Sequence, residues 1–188
     1  LANRAIRVSG GRVMSFFSIF KSWKDGEEGM AAVEAAMVFP IMVVMLLGVF
    51  DLGNAILTNQ KALRASQVVA DLIARNGVVS DQDIDDAIEA GRLAFEPLDS
   101  SSYGVDIISI RFDEDENSEI VWRETMNMSG VANPLGDVDA LKDVDEGVVM
   151  VAVHYDFEPK FAKFLNDISM NEVAFSRGRR SPVVVRDN

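Results

Sequence analysis

Cysteine is absent from this chain, and histidine occurs once, at His154. A disulfide framework and thiol catalysis are therefore excluded, while the compartment is left open. A zinc site or a hydrolytic triad would need more, since there is no cysteine and no second histidine. Cations are also scarce: 18 Lys and Arg stand against 30 Asp and Glu, a net charge of −12. Phosphate binding needs clustered Lys and Arg, so nucleic acid is not expected as a partner. No glycine loop suited to phosphate is present. Acids are abundant, but their spacing singles out no catalytic pair. No cofactor is expected.

The cations that do occur are unevenly placed. Arg4, Arg7, Arg12, Lys21 and Lys24 precede Met30, against Asp25, Glu27 and Glu28. Beyond Phe50 the chain is acidic, with runs such as Asp81-Gln82-Asp83-Ile84-Asp85-Asp86. Between the two lies Met30–Phe50, whose sole charged residue is Glu34. As a helix this stretch would be about 31 Å long at 1.5 Å per residue, against a bilayer core of about 30 Å. The Lys/Arg bias predicts a cytoplasmic N-terminus and an exported acidic body. Pro40 removes one backbone donor and is expected to kink or loosen the helix. The first residue is Leu1, consistent with a start upstream or an alternative start codon.

Three readings of this segment compete. One is a plain single-pass anchor, which leaves Glu34 without a role. Another is a secretory signal cut near Gly53-Asn54-Ala55, although the apolar run is longer than usual for such a signal. The last is a type IV pilin-like signal cut after Gly29, which keeps the apolar helix and makes Glu34 the fifth mature residue. A charge inside a membrane segment costs about 2.5–3.5 kcal/mol on insertion scales and marks function by default. Snorkelling of Glu34 to the interface is the plainer alternative.

The run Gly29-Met30-Ala31-Ala32-Val33-Glu34-Ala35-Ala36-Met37-Val38-Phe39-Pro40 resembles the start of TadE-like proteins, the pseudopilins of tight-adherence (Flp) pilus systems. That family places a glycine before the cut, a glutamate fifth after it and a proline six residues later. It usually carries Phe where this chain has Ala35. Gly48-Val49-Phe50-Asp51-Leu52-Gly53 is similar to the family's helix as well. The resemblance implies cleavage by a prepilin peptidase between Gly29 and Met30, with Glu34 and Pro40 serving assembly. It implies as partners that peptidase, other pilus subunits, the inner-membrane assembly platform and membrane lipid. It also implies a non-enzymatic protein of pilus biogenesis and cell adhesion.

The remainder reads as an α+β domain. Ala62, Ala65, Val69, Leu72 and Ile73 fall at helical spacing and extend the helix to about Arg75. Asn76-Gly77 is expected to end it, with Gly77 in the left-handed conformation. A second helix is expected from Asp81 to about Leu93, with Ser80 and Asp83 as a capping box and Ile84, Ala87, Ile88 and Phe95 as its packing face. Strands are expected at Tyr103–Phe112, Glu119–Arg123, Val148–Phe157 and Asn171–Arg177, and a short helix near Phe161, Phe164 and Leu165. Residues 125–147 read as a loop, helical near Val138–Lys142. The resulting plan is a leader over 1–29, a membrane helix over 30–50, its extension over 51–77 and an exported domain over 78–188. In that plan a long N-terminal helix packs on a small antiparallel sheet, as in pilins.

Outside the motif, Asp113, Asp115 and Asn117, with Glu124, occupy calcium-loop spacing. A polar hairpin turn explains the same letters. The alternative function is a membrane-anchored envelope binding module, with calcium at this loop or a peptide at a sheet edge. His154 alternates away from the apolar face of its strand, and Trp122 is expected in the core. Arg177, Arg179 and Arg180 read as a basic tail, either solvated or meeting an acidic surface of another subunit.

Overall fold

The computed structural model describes residues 27–115, 117–143, 146–162 and 166–187. Residues 1–26 of the leader and the segment holding Phe164 and Leu165 lie outside the described residues. The chain divides into two units, Leu1–Leu47 and Gly48–Asn188. The described part of the first is helical throughout, and belongs to α1 (Glu27–Arg75). Its apolar side chains from Met37 to Leu46 stand exposed. The helix is continuous through Pro40.

In the second unit α1 carries the stripe expected of it. Ala62, Ala65, Val69 and Ile73 are buried, joined by Ser66, Ala70 and Ala74. The apolar members of this stripe share one buried core with the facing strands. The helix end differs from expectation. No described glycine has a positive φ. After Gly77 the chain goes straight into β1 (Val78–Val79). The carbonyl of Ala74 is capped instead by the backbone N–H of Arg179, at 2.9 Å. Gly77 is needed for close approach, since a Cβ there would lie 2.9 Å from the Cβ of Ser181.

Helix α2 (Asp81–Leu93) starts with the expected reciprocal cap. Ser80 Oγ accepts the Asp83 N–H at 3.3 Å, and the Asp83 carboxylate accepts the Ser80 N–H at 2.9 Å. Such a cap contributes about 1 kcal/mol. Ile84, Ala87, Ile88 and Phe95 are buried as expected. Gly91 lets α2 rest against Tyr103 and Val69, for a Cβ there would fall 2.6 Å from Val69 Cγ2.

Four strands form one antiparallel sheet in the order β3-β2-β4-β5. They are β2 (Gly104–Phe112), β3 (Ser118–Met126), β4 (Gly147–Phe157) and β5 (Ile168–Ser176). β3 runs past the expected Arg123, so Thr125 and Met126 are sheet residues, not loop. Val149, Val151, Val153, Tyr155 and Phe157 face α1, with Val105, Ile107, Met170 and Ala174. The opposite face holds a second core of Ile108, Ile110, Phe112, Val148 and Met150. Val138 covers it, from a segment containing α3 (Pro134–Asp137) and a 3₁₀ turn at Asp139–Leu141. The helical turns thus begin earlier than the expected Val138. Trp122 is buried, as read from the sequence.

A final element has no counterpart in the sequence reading. The C-terminal segment returns to the domain and forms β6 (Val185–Arg186), which pairs in parallel with β1. Val184 is 2% exposed. Its carbonyl accepts from Trp122 Nε1 at 2.9 Å and Ser109 Oγ at 2.7 Å. Val185 N–H donates to Gly77, and Asp187 N–H to Val79.

Candidate functional site

The run from Gly29 to Pro40 lies at the start of α1. Gly29 and Met30 fall within its first four residues, whose N–H groups have no intrahelical acceptor. Unwinding the backbone around the Gly29–Met30 bond would therefore break few helix hydrogen bonds. Gly29 has no side chain, so the backbone around that bond is open to close approach. Met30 and Glu34 are four residues apart and share one helix face, and both are exposed. A new amine on Met30 would carry positive charge near neutral pH. Glu34 could then offer its carboxylate to that amine or to a neighbouring chain's. Pro40, without an N–H, leaves the Ala36 carbonyl free of its ladder partner.

A second feature of α1 is built around Asp51. Its side chain is 4% exposed, and its carboxylate accepts three consecutive backbone N–H groups. They come from Lys160 at 3.2 Å, Phe161 at 2.8 Å and Ala162 at 2.6 Å. Beside it the Phe50 and Phe161 rings meet edge to face, with centroids 5.4 Å apart. Further along α1, Asn59 Nδ2 donates to Glu172 at 2.8 Å, and Lys61 Nζ to the carbonyls of Phe95 and Glu96. The clamp fixes the β4–β5 connection to the helix. Asp51 stood in the sequence as a lone acid directly after the apolar run. That was the available signal, but its partners lie 109 or more residues away.

Asp51→Asn replaces a carboxylate with an amide whose NH₂ end faces donors. We expect a loss of about 1.5–3 kcal/mol, the usual worth of hydrogen bonds to a charged acceptor. Urea unfolding of the detergent-solubilised chain should report it, together with faster amide exchange at Lys160–Ala162. Unchanged exchange at those amides would show that the clamp is not what orders the loop.

The acidic loop adopts the hairpin-turn arrangement. Asp113 Oδ1 accepts N–H groups of Asp115 at 3.0 Å and Asn117 at 2.7 Å, and Oδ2 accepts Asn117 Nδ2 at 3.1 Å. Hydrogen bonds from the Asn117 side chain and backbone hold the Asp113 carboxyl below its ordinary range. Glu124 is not brought to this turn. It lies on β3 opposite Ile107 and binds Arg186 at 2.9 Å. Among the described residues no three His, Asp or Glu side chains are grouped as metal ligands.

His154 faces away from α1, half-buried, within 2.8 Å of Asn171 Oδ1 and 3.3 Å of Asp156 Oδ2. Ser169 donates its hydroxyl to Asp156, not to the imidazole. The basic-tail reading is corrected for two of its residues. Arg177 pairs with Asp143 and Glu146, and Arg179 with Asp71. These acids belong to the same chain and draw the segment back onto the domain.

Taken together, the fold defines an α+β protein with one N-terminal helix long and apolar enough to cross a membrane, consistent with single-pass anchoring. Residues 29–71 match the family model described as TadE-like protein. That span contains Gly29, Met30, Glu34, Pro40 and Asp51, and ends before β1. No curated protein and no solved structure matches the chain.

Proposed function

We propose that this chain is a pseudopilin of a tight-adherence pilus system. In this reading a prepilin peptidase cuts after Gly29, and the mature subunit is anchored in the inner membrane by α1. Its domain is exported, and it acts with other pilus subunits and the inner-membrane platform. The observation that carries the reading is the order Gly29, Glu34, Pro40 at the start of an apolar helix within the TadE-like span. The Met30 amine and Glu34 carboxylate are both costly in lipid when unpaired. Pairing between neighbouring subunits removes that cost and fixes their register.

Mass spectrometry of the membrane-extracted protein tests the cut. A mature N-terminus at Met30 is expected. An intact leader, or a start near Asn54, sinks the reading. Glu34→Ala should leave insertion and cleavage intact and reduce assembled pili severely; normal piliation in that variant would remove the role given to Glu34.

A further inference from the structure

The apolar run does not stop where a bilayer core would. Leu52, Ile56 and Leu57 remain exposed on α1 beyond Phe50. A helix from Met30 to Leu57 is about 42 Å long at 1.5 Å per residue, against a hydrocarbon core of about 30 Å. A core of about 30 Å that begins at Met30 ends near Phe50, next to Asp51. There the clamp holds a loop of unusual make-up. Pro159 has no N–H, and the N–H groups of Lys160, Phe161 and Ala162 all go to Asp51. These four consecutive residues thus leave no backbone N–H free. Irregular backbone tolerates a water-poor setting only when its polar groups are satisfied by protein. In the same loop Phe161 is 51% exposed and Lys160 is exposed, and the Phe161 ring abuts Phe50, itself 54% exposed. An aromatic pair beside a long cation is the composition of the boundary between acyl chains and headgroups.

We propose that Pro159–Ala162 is a membrane foot. The Phe161 and Phe50 rings rest in the acyl–headgroup boundary, and Lys160 reaches the lipid phosphates. The occupant of this surface is the bilayer, because Phe161 abuts Phe50, the last residue of an apolar run about as long as a bilayer core is thick, and exposed Leu52, Ile56 and Leu57 follow on α1. The proposal rests on α1 crossing the membrane, and it adds that the folded domain touches the same bilayer through a second element.

The chain has no cysteine, so single-cysteine variants of the full chain can be labelled uniquely. Phe161→Cys, Lys160→Cys, Met42→Cys and Glu114→Cys would each carry an environment-sensitive fluorophore in phosphatidylcholine vesicles. At Phe161 we expect blue-shifted emission and several-fold stronger quenching by lipid-borne nitroxide than at Glu114, a residue of the β2–β3 turn. Lys160→Cys leaves both rings in place and should be quenched by nitroxide near the headgroups. Met42 reports the membrane helix itself. Lipid quenching at Met42 without quenching at Phe161 and Lys160 overturns the foot and leaves the anchor standing. Absence of lipid quenching at Met42 overturns both. A blue shift at Phe161 without lipid quenching means that protein covers the loop, and also overturns the proposal.

Discussion

Arg123→Met is expected to destabilise the domain by about 3–5 kcal/mol, the usual cost of removing one partner from a buried ion pair. Asp106 is fully buried on β2, on the face opposite α1. Arg123 holds it in a fork, with Nε at 2.9 Å and Nη2 at 2.6 Å. Thr125 Oγ1 and the Val131 N–H complete its shell, each at 2.8 Å. Met fills similar space but leaves the carboxylate two donors short in a site closed to water. The Val131 bond ties the 131–141 segment to the interior strand β2, so the second core should loosen with it. Urea unfolding of the detergent-solubilised chain would measure the loss. A change below about 1 kcal/mol, the value of an exposed pair, would show that Asp106 keeps access to solvent.

The same pair predicts a pH dependence. Burial pushes the Asp106 carboxyl up, but Arg123, the Val131 N–H and Thr125 outweigh it and hold the group below its ordinary value. A carboxyl depressed in the folded state stabilises above its unfolded pKa, about 3.9 for Asp. That contribution fades as pH falls through the depressed value. In Arg123→Met burial remains and the guanidinium is gone, so the carboxyl is raised and protonation relieves the variant. The stability gap between the two proteins should narrow from pH 7 to pH 4. A constant gap would mean that Arg123 acts there through packing of its stem.

What the sequence displayed of this architecture follows from the range of the interactions. The α1 stripe, the Ser80–Asp83 cap and the alternation from Val149 to Phe157 depend on neighbours within one or two turns or on a fixed strand period. Each was legible for that reason. The motif at Gly29, Glu34 and Pro40 is also local, and it lies within the TadE-like span. Three features depended on partners remote in sequence. Asp51 meets backbone amides beyond β4, which carry no side-chain signature. Val184 offers a carbonyl, which every residue has, so nothing distinguished it as the acceptor for Trp122. The second core hid because β2 and β4 are buried on both faces at their centre, which blurs alternation into continuous apolar runs. The arginines after β5 were visible as charges. Their opposite numbers, Asp143, Glu146 and Asp71, could be chosen from thirty acids only by the fold.

Truncation after Arg177 is expected to abolish the cooperative fold of the second unit. A solvated tail could be removed at no cost, so this deletion separates the two readings of the C-terminus. Loss of Val184 forfeits about 1.5–3 kcal/mol of apolar burial. Trp122 Nε1–H and the Ser109 hydroxyl, both buried, would each lose their acceptor at about 1–3 kcal/mol. The Ala74 carbonyl at the end of α1 would lose its cap, and β1 its partner strand β6. Together these losses reach the lower part of the range of about 5–15 kcal/mol that separates folded from unfolded domains. The near-UV circular dichroism of Trp122 and resistance to proteolysis should both be lost. Arg186→Gln keeps the strand and removes only side-chain pairs with Asp81 and Glu124. It should cost no more than about 1 kcal/mol, as mostly solvent-screened pairs do. If the truncated chain instead unfolds at the same urea concentration as the whole one, the strap contributes nothing, and the Trp122 N–H must find another acceptor. A large loss from Arg186→Gln would mean that the ion pairs, not the buried Val184 and its carbonyl, hold β6 in place.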